Sequence, residues 1–169
     1  PSLAVCLPFG QVCSWSQDNL RFSDGESQKT ENQLGLVTMI PLLTLLLQST
    51  IYVPDDEPTI QSALYSAQSG DTVIVRAGTW PESGIQFLGK AVTVMSEDGP
   101  TSTIVDGGAS DTVFNFVNGE TAASVLDGFT ITNGSRWDGG GINIEEDVNL
   151  VPSSPTIRNC IITGNVGVG

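Results

Sequence analysis

Two stretches of this chain share one layout at an offset of 31 residues. Val125-Leu126-Asp127-Gly128-Phe129-Thr130-Ile131-Thr132-Asn133-Gly134 lines up with Thr156-Ile157-Arg158-Asn159-Cys160-Ile161-Ile162-Thr163-Gly164-Asn165. In both, an apolar residue precedes a polar turn pair, a strand of three, and then Thr with Gly and Asn. A unit of that length cannot bury its own inward face. It must stack on a neighbour, which is the logic of a solenoid.

The surrounding sequence agrees. Beyond Trp80 the chain alternates short β-branched runs with Gly, Asp and Asn turns, at residues 84–87, 91–95, 102–105, 112–116, 124–126, 129–131, 141–144, 155–157 and 160–162. Runs this short and this numerous predict an all-β fold. Helical periodicity is confined to residues 58–80. Ile60, Ala63, Leu64 and Ala67 make one narrow apolar stripe, and Gln61, Ser62, Ser66 and Gln68 are expected to turn outward. Pro58 is expected in the first turn, Asp55, Asp56 and Glu57 near the positive end of the helix dipole, and Gly70 at its stop. The β-branched run 72–75 follows, and Ala77-Gly78-Thr79 is expected to turn the chain away. Stacked parallel strands leave one end of the core open, so the helix is expected to lie across that end as a cap.

Composition narrows the function. With 6 basic and 19 acidic side chains the net charge is −13, which argues against nucleic acid or an anionic membrane as partner. Any membrane link would run through a signal or anchor segment. The chain has no histidine, so imidazole bases and His metal ligands are excluded. Cys6, Cys13 and Cys160 are an odd number without a CxxC, which supports neither a zinc site nor a disulfide framework, and Cys160 is expected as a buried thiol.

Three segments are expected. Residues 1–33 lack periodicity and are expected to pack little. Residues 34–49 are almost wholly apolar at a length short of a bilayer span, which fits a signal-peptide core with a start at Met39 and a secreted or cell-surface protein; a buried or interfacial helix kinked at Pro41 is the alternative. Residues 50–169 form the stacked domain, expected to continue past Gly169 and to associate through an open C-terminal edge.

Here a resemblance enters. The stretches GDTVIVRAGTWPESG and KAVTVMSEDGPTSTIVDGG resemble the N-terminal coils of the pectin-lyase-like superfamily, over about residues 51–169. GGGINI and SPTIRNCIITGN are similar to repeats of bacterial surface β-helix proteins, including the chlamydial polymorphic outer-membrane proteins. The resemblance implies a right-handed, single-stranded parallel β-helix with an N-terminal capping α-helix. It implies either an exported scaffold that binds polysaccharide or a cell-surface glycan, or an enzyme of the pectate lyase, polygalacturonase or pectin esterase class whose active site lies outside these residues. AGTWPES is similar to the opening of pectin methylesterases, but their catalytic motifs are missing here, and catalytic residues stay unassigned.

Candidate sites remain few. Arg136-Trp137 is the leading pair, because an aromatic face stacks on sugar rings and Arg binds carboxylates; the alternative is a loop side chain folded over the barrel. Glu145, Glu146 and Asp147 offer oxygen ligands for Ca²⁺ without the ordered spacing of a calcium loop, and otherwise form a solvated charge run. Asp106, Asp111, Asp127 and Asp138 are the further carboxylates that a glycosidase would need in opposed pairs, and Asp-Gly turns account for three of them. Gly139-Gly140-Gly141 reads as a tight corner. Asn133, with Asn159 and Asn165, is expected in a turn or an asparagine ladder.

Overall fold

The computed structural model describes residues 48–167. The expectations for residues 1–33 and for the apolar run up to residue 47 lie outside the described residues. Within them the protein is mainly β, with one short helix and three sheets whose strand pairs are all parallel. The first sheet holds β1 (Thr50–Val53), β2 (Thr72–Val75), β5 (Thr93–Ser96), β8 (Val125–Asp127) and β11 (Thr156–Arg158), in that spatial order. The second holds β3 (Gly78–Trp80), β6 (Thr103–Asp106), β9 (Thr130–Thr132) and β12 (Ile161–Ile162); the third holds β4 (Ile85–Gln86), β7 (Phe114–Phe116) and β10 (Ile142–Ile144). From β2 onward the chain visits first, second and third sheet in unbroken rotation. Each circuit adds one strand beside its predecessor in every sheet.

The 31-residue similarity is the register itself. Val125 pairs with Thr156, Leu126 with Ile157, Thr130 with Ile161 and Ile131 with Ile162. Because side chains alternate across a strand, this register stacks like on like. Ile51, Val73, Val94, Leu126 and Ile157 form one inward column of the first sheet, and Trp80, Val105, Ile131 and Ile162 form one in the second. Phe87, Phe114, Phe116 and Phe129 are fully buried between the sheets, with the Phe87 and Phe116 rings 4.8 Å apart. Two runs differ from expectation. Residues 78–80 form β3 rather than a turn, and β1 adds a strand below β2 that its short sequence did not announce.

The helix α1 (Ile60–Ser66) buries Ile60, Ala63 and Leu64 completely, packed against β1, β2 and β4. Its ends are made differently from what residues 55–70 predict. Thr59 is the N-cap in a reciprocal capping box with Ser62, so Pro58 precedes the helix. The negative charge at the helix start comes from Glu82, whose carboxylate accepts from the Ile60 and Gln61 amides at 2.8 and 3.1 Å; none of the acidic residues 55–57 lies in the first turn. At the other end Lys90 Nζ donates to the carbonyls of Leu64, Tyr65 and Ala67 at 2.6, 3.0 and 2.8 Å. The helix ends at an extended Ala67, before Gly70. Gln61 is half-buried rather than outward. Its side-chain carbonyl accepts from Gln86 N at 2.8 Å and so satisfies the first strand of the third sheet, which has no strand below it among the described residues. Charged and amide groups of the first circuit therefore clamp the helix over the end of the stack.

No helix among the described residues is long and apolar enough to cross a membrane.

Candidate functional site

The corner between β9 and β10 carries the leading sequence candidates. This corner is tight for a physical reason: a Cβ on Gly134 would collide with the Gly140 carbonyl, and one on Gly140 would meet the carbonyls of Val166 and Gly134. Three backbone segments meet there with no room for side chains. The chain then turns through residues 136–139, closed by Gly139 N donating to Arg136 O at 3.3 Å and tied upward by Arg136 N donating to Val166 O at 3.2 Å. Arg136, Trp137 and Asp138 project from that turn.

Their environments differ. The Trp137 side chain is 74 % exposed, the most exposed aromatic among the described residues, so it does not fold over the stack. Arg136 reaches down one circuit, with Nη1 3.2 Å from Asp111 Oδ1, and its Nε lies 2.9 Å from Asp138 Oδ1. The Asp138 contact is charge attraction without a hydrogen bond. The oxygen is shielded from solvent, and no N–H group points at it. With 40 % of its side chain exposed, Arg136 gains little stability from either pair, about 0–1 kcal/mol each. What the pairs fix is position and charge.

Asp111 is held from two sides through one oxygen. Its Oδ1 accepts from Thr112 N at 2.8 Å as well as from Arg136, which leaves Oδ2 free of both. Across from Oδ2 stands Gly84, at φ +71°, where a Cβ would sit 3.9 Å from that oxygen; glycine keeps the approach open. Beside these residues the exposed hydroxyls of Ser83 and Ser110 lie 3.0 Å apart, linking the lower two of three successive corners. Ser83, Gly84, Ser110, Asp111, Arg136 and Trp137 thus come from equivalent corners of consecutive circuits. Sequence reasoning missed Asp111 as the partner of Arg136, and missed both serines. Their only signal is the circuit-to-circuit offset, which the unequal corner lengths blur.

The other carboxylates are used by the fold. Asp106 accepts from Gly108 N at 2.9 Å, within its own turn, and from Asn133 Nδ2 at 3.0 Å; the Gly108 amide, then the Asn133 amide, holds its carboxyl below the usual range. Asp127 accepts from Arg158 Nε at 2.9 Å and Asn159 Nδ2 at 2.8 Å, tying one circuit to the next. Asn133 and Asn159 both take left-handed backbone conformations and reach down to an aspartate, so they form Asp–Asn ties rather than an asparagine ladder. Asn165 instead accepts from Gly134 N at 2.8 Å and donates to Ile131 O at 2.9 Å. Cys160 is half-buried, and burial pushes its thiol pKa up.

Glu145, Glu146 and Asp147 open the loop between β10 and β11. Glu145 and Glu146 point to solvent. Asp147 builds the loop: its Oδ1 accepts from Asn149 N and Val151 N, both at 2.8 Å, and the Val151 amide in particular holds its carboxyl below the usual range. The loop's far side rests on Glu120, a fully buried carboxylate that accepts from Gly89 N, Asn118 N and Ser153 Oγ at 3.0, 2.9 and 3.1 Å. Among the described residues, no group of three or more His, Cys, Asp or Glu side chains gathers as a metal site would require.

No family model matches the chain, and no curated protein or solved structure matches it either.

Proposed function

We propose that this chain is a right-handed, single-stranded parallel β-helix of the pectin-lyase-like kind, exported to the cell surface or medium, and that it serves as a carbohydrate-binding scaffold. The unbroken rotation among three parallel sheets supports the coil. The right hand follows from the strong preference of parallel crossovers for that sense. Export rests on the apolar run of residues 34–49.

One observation carries the binding reading: Trp137 stands exposed beside an Arg136 already held by carboxylates, on a corner where the backbone at Gly134 and Gly140 leaves no room for side chains. A solvent-facing indole next to polar groups suits the apolar face and hydroxyl rim of a sugar ring. The alternative, an enzyme acting on acidic polysaccharide, has less to draw on. Asp111 and Asp138 face the same guanidinium instead of opposing each other across a cleft, and Asp106 and Asp127 are bound in ties between circuits. The test is retardation of the purified protein in gels cast with soluble polysaccharides, with and without Ca²⁺. Retardation that Trp137→Ala abolishes supports the reading. Turnover of pectate or pectin, lost on Asp111→Asn, would replace it with the enzyme.

A further inference from the structure

The corner around Trp137 also carries a charge argument about which sugars it can take. Resting on the carbohydrate-binding reading above, we infer that the site selects neutral glycans and rejects uronates. Among the described residues Arg136 is the one cation in the cluster, and it faces two carboxylates, Asp111 at 3.2 Å and Asp138 at 2.9 Å. The cluster is therefore net negative. A guanidinium that already faces two carboxylates has its charge matched before any sugar carboxylate arrives. A uronate approaching this corner would meet the net negative cluster, and behind it a molecule of net charge −13.

The same geometry favours hydroxyls. Asp111 Oδ2 is free of the two protein donors that hold Oδ1, and Gly84 leaves its approach open. A carboxylate oxygen in that position accepts from a hydroxyl and repels a carboxylate. The exposed Ser83 and Ser110 hydroxyls, one circuit apart, add acceptors: Ser110 donates its proton to Gly107 O at 2.9 Å and lies 3.0 Å from Ser83, so what the pair presents outward is mainly lone pairs for sugar hydroxyls. They extend the strip along the stack, from Trp137 on one circuit to Ser83 two circuits below. A linear neutral oligosaccharide laid along the corners would have a stacking face at one end and hydroxyl partners at the other.

The experiment is isothermal titration of the full chain with cellohexaose, xylohexaose and mannohexaose as neutral probes and hexagalacturonate as the acidic one, each with and without Ca²⁺. The inference expects at least one neutral probe to bind at least about tenfold more tightly than hexagalacturonate. Its affinity should be nearly independent of salt, because no charge is exchanged. Trp137→Ala should weaken neutral binding about tenfold or more without moving the melting midpoint, since the indole is exposed. Asp111→Asn is the discriminating variant. It should weaken the neutral probe and strengthen hexagalacturonate, narrowing the gap between them. Hexagalacturonate binding wild type as tightly as the best neutral probe, with or without Ca²⁺, overturns the inference and leaves glycan binding standing. Failure of every probe to bind overturns both.

Discussion

The first and last described circuits of the stack differ in what covers them. At the first circuit Ile60, Ala63 and Leu64 of α1 are wholly buried, Glu82 and Lys90 hold the two helix termini, and Gln61 satisfies β4. At the last circuit Ile161, Ile162 and Val166 remain 43, 53 and 61 % exposed. Ile162 occupies the same inward column as Ile131, one circuit below, which is 0 % exposed. Same column and same residue type, opposite burial: the neighbour along the stack, not the position within the circuit, keeps a side chain from water. Stability in such an architecture is a sum of interfaces between circuits. The helix supplies the interface that the first circuit would otherwise lack.

That contrast can be broken at several points. The largest effect is expected at Leu64→Asp, which puts an unpaired carboxylate under the helix and should cost about 4 kcal/mol, against about 0.5 kcal/mol or less for Gln68→Asp on the exposed side. Equal shifts in urea midpoint would mean that the apolar stripe seals nothing. Next comes the column pair itself. Ile131→Ala should cost about 2–5 kcal/mol and Ile162→Ala under about 1 kcal/mol, because only the first leaves a cavity. Comparable losses at both sites would show that the last circuit is as well covered as the middle ones. Lys90→Met keeps the aliphatic stem but leaves the carbonyls of Leu64, Tyr65 and Ala67 without their donor, at about 1–3 kcal/mol. Helix amides that keep their wild-type exchange rates in this variant would remove Lys90 from the account.

The smallest effect is local. The Val151 and Asn149 amides hold the Asp147 carboxyl below its ordinary value, so the stabilisation is present above about pH 4, the unfolded value, and is lost as pH falls through the lower, folded one. The amide resonances of Val151 and Asn149 should therefore shift together in acid, with a midpoint below that of an ordinary aspartate. Asp147→Asn should remove the transition while leaving the melting midpoint almost unchanged. A midpoint at the ordinary value would mean that the loop is not built on this carboxylate.

How much of this was legible depends on whether the signal is periodic. The pairing of Thr130 with Ile161 can be read from sequence, because stacking repeats apolar residues at matching positions and two circuits of equal length keep the offset intact. The stripe Ile60, Ala63, Leu64 and Ala67 was legible for the same reason, since helical spacing put four apolar residues on one face. The clamps at the helix ends were not. Glu82 lies 22 residues from Ile60 and Lys90 lies 26 from Leu64, in segments whose local sequence reads only as turns. Arg136 and Trp137 stood out by residue type, yet the ion pair with Asp111 joins corners of different length, and no spacing rule reaches across them. The structural role of Asp147 was hidden: beside Glu145 and Glu146 it reads as part of an acidic run, whereas its Oδ1 accepts from backbone amides two and four residues on.

The central claim is that successive circuits stack in parallel with Thr130 beside Ile161. It is tested most directly by paired cysteines in a chain whose own three cysteines are replaced by Ala. Neighbouring strands place register partners about 4.8 Å apart at Cα, within the range that a disulfide spans. Thr130→Cys with Ile161→Cys should cross-link on mild oxidation within the monomer. Thr130→Cys with Ile162→Cys, one residue out of register and on opposite faces of the sheet, should stay reduced. Cross-linking of the second pair in preference to the first would contradict the register, and with it the stack.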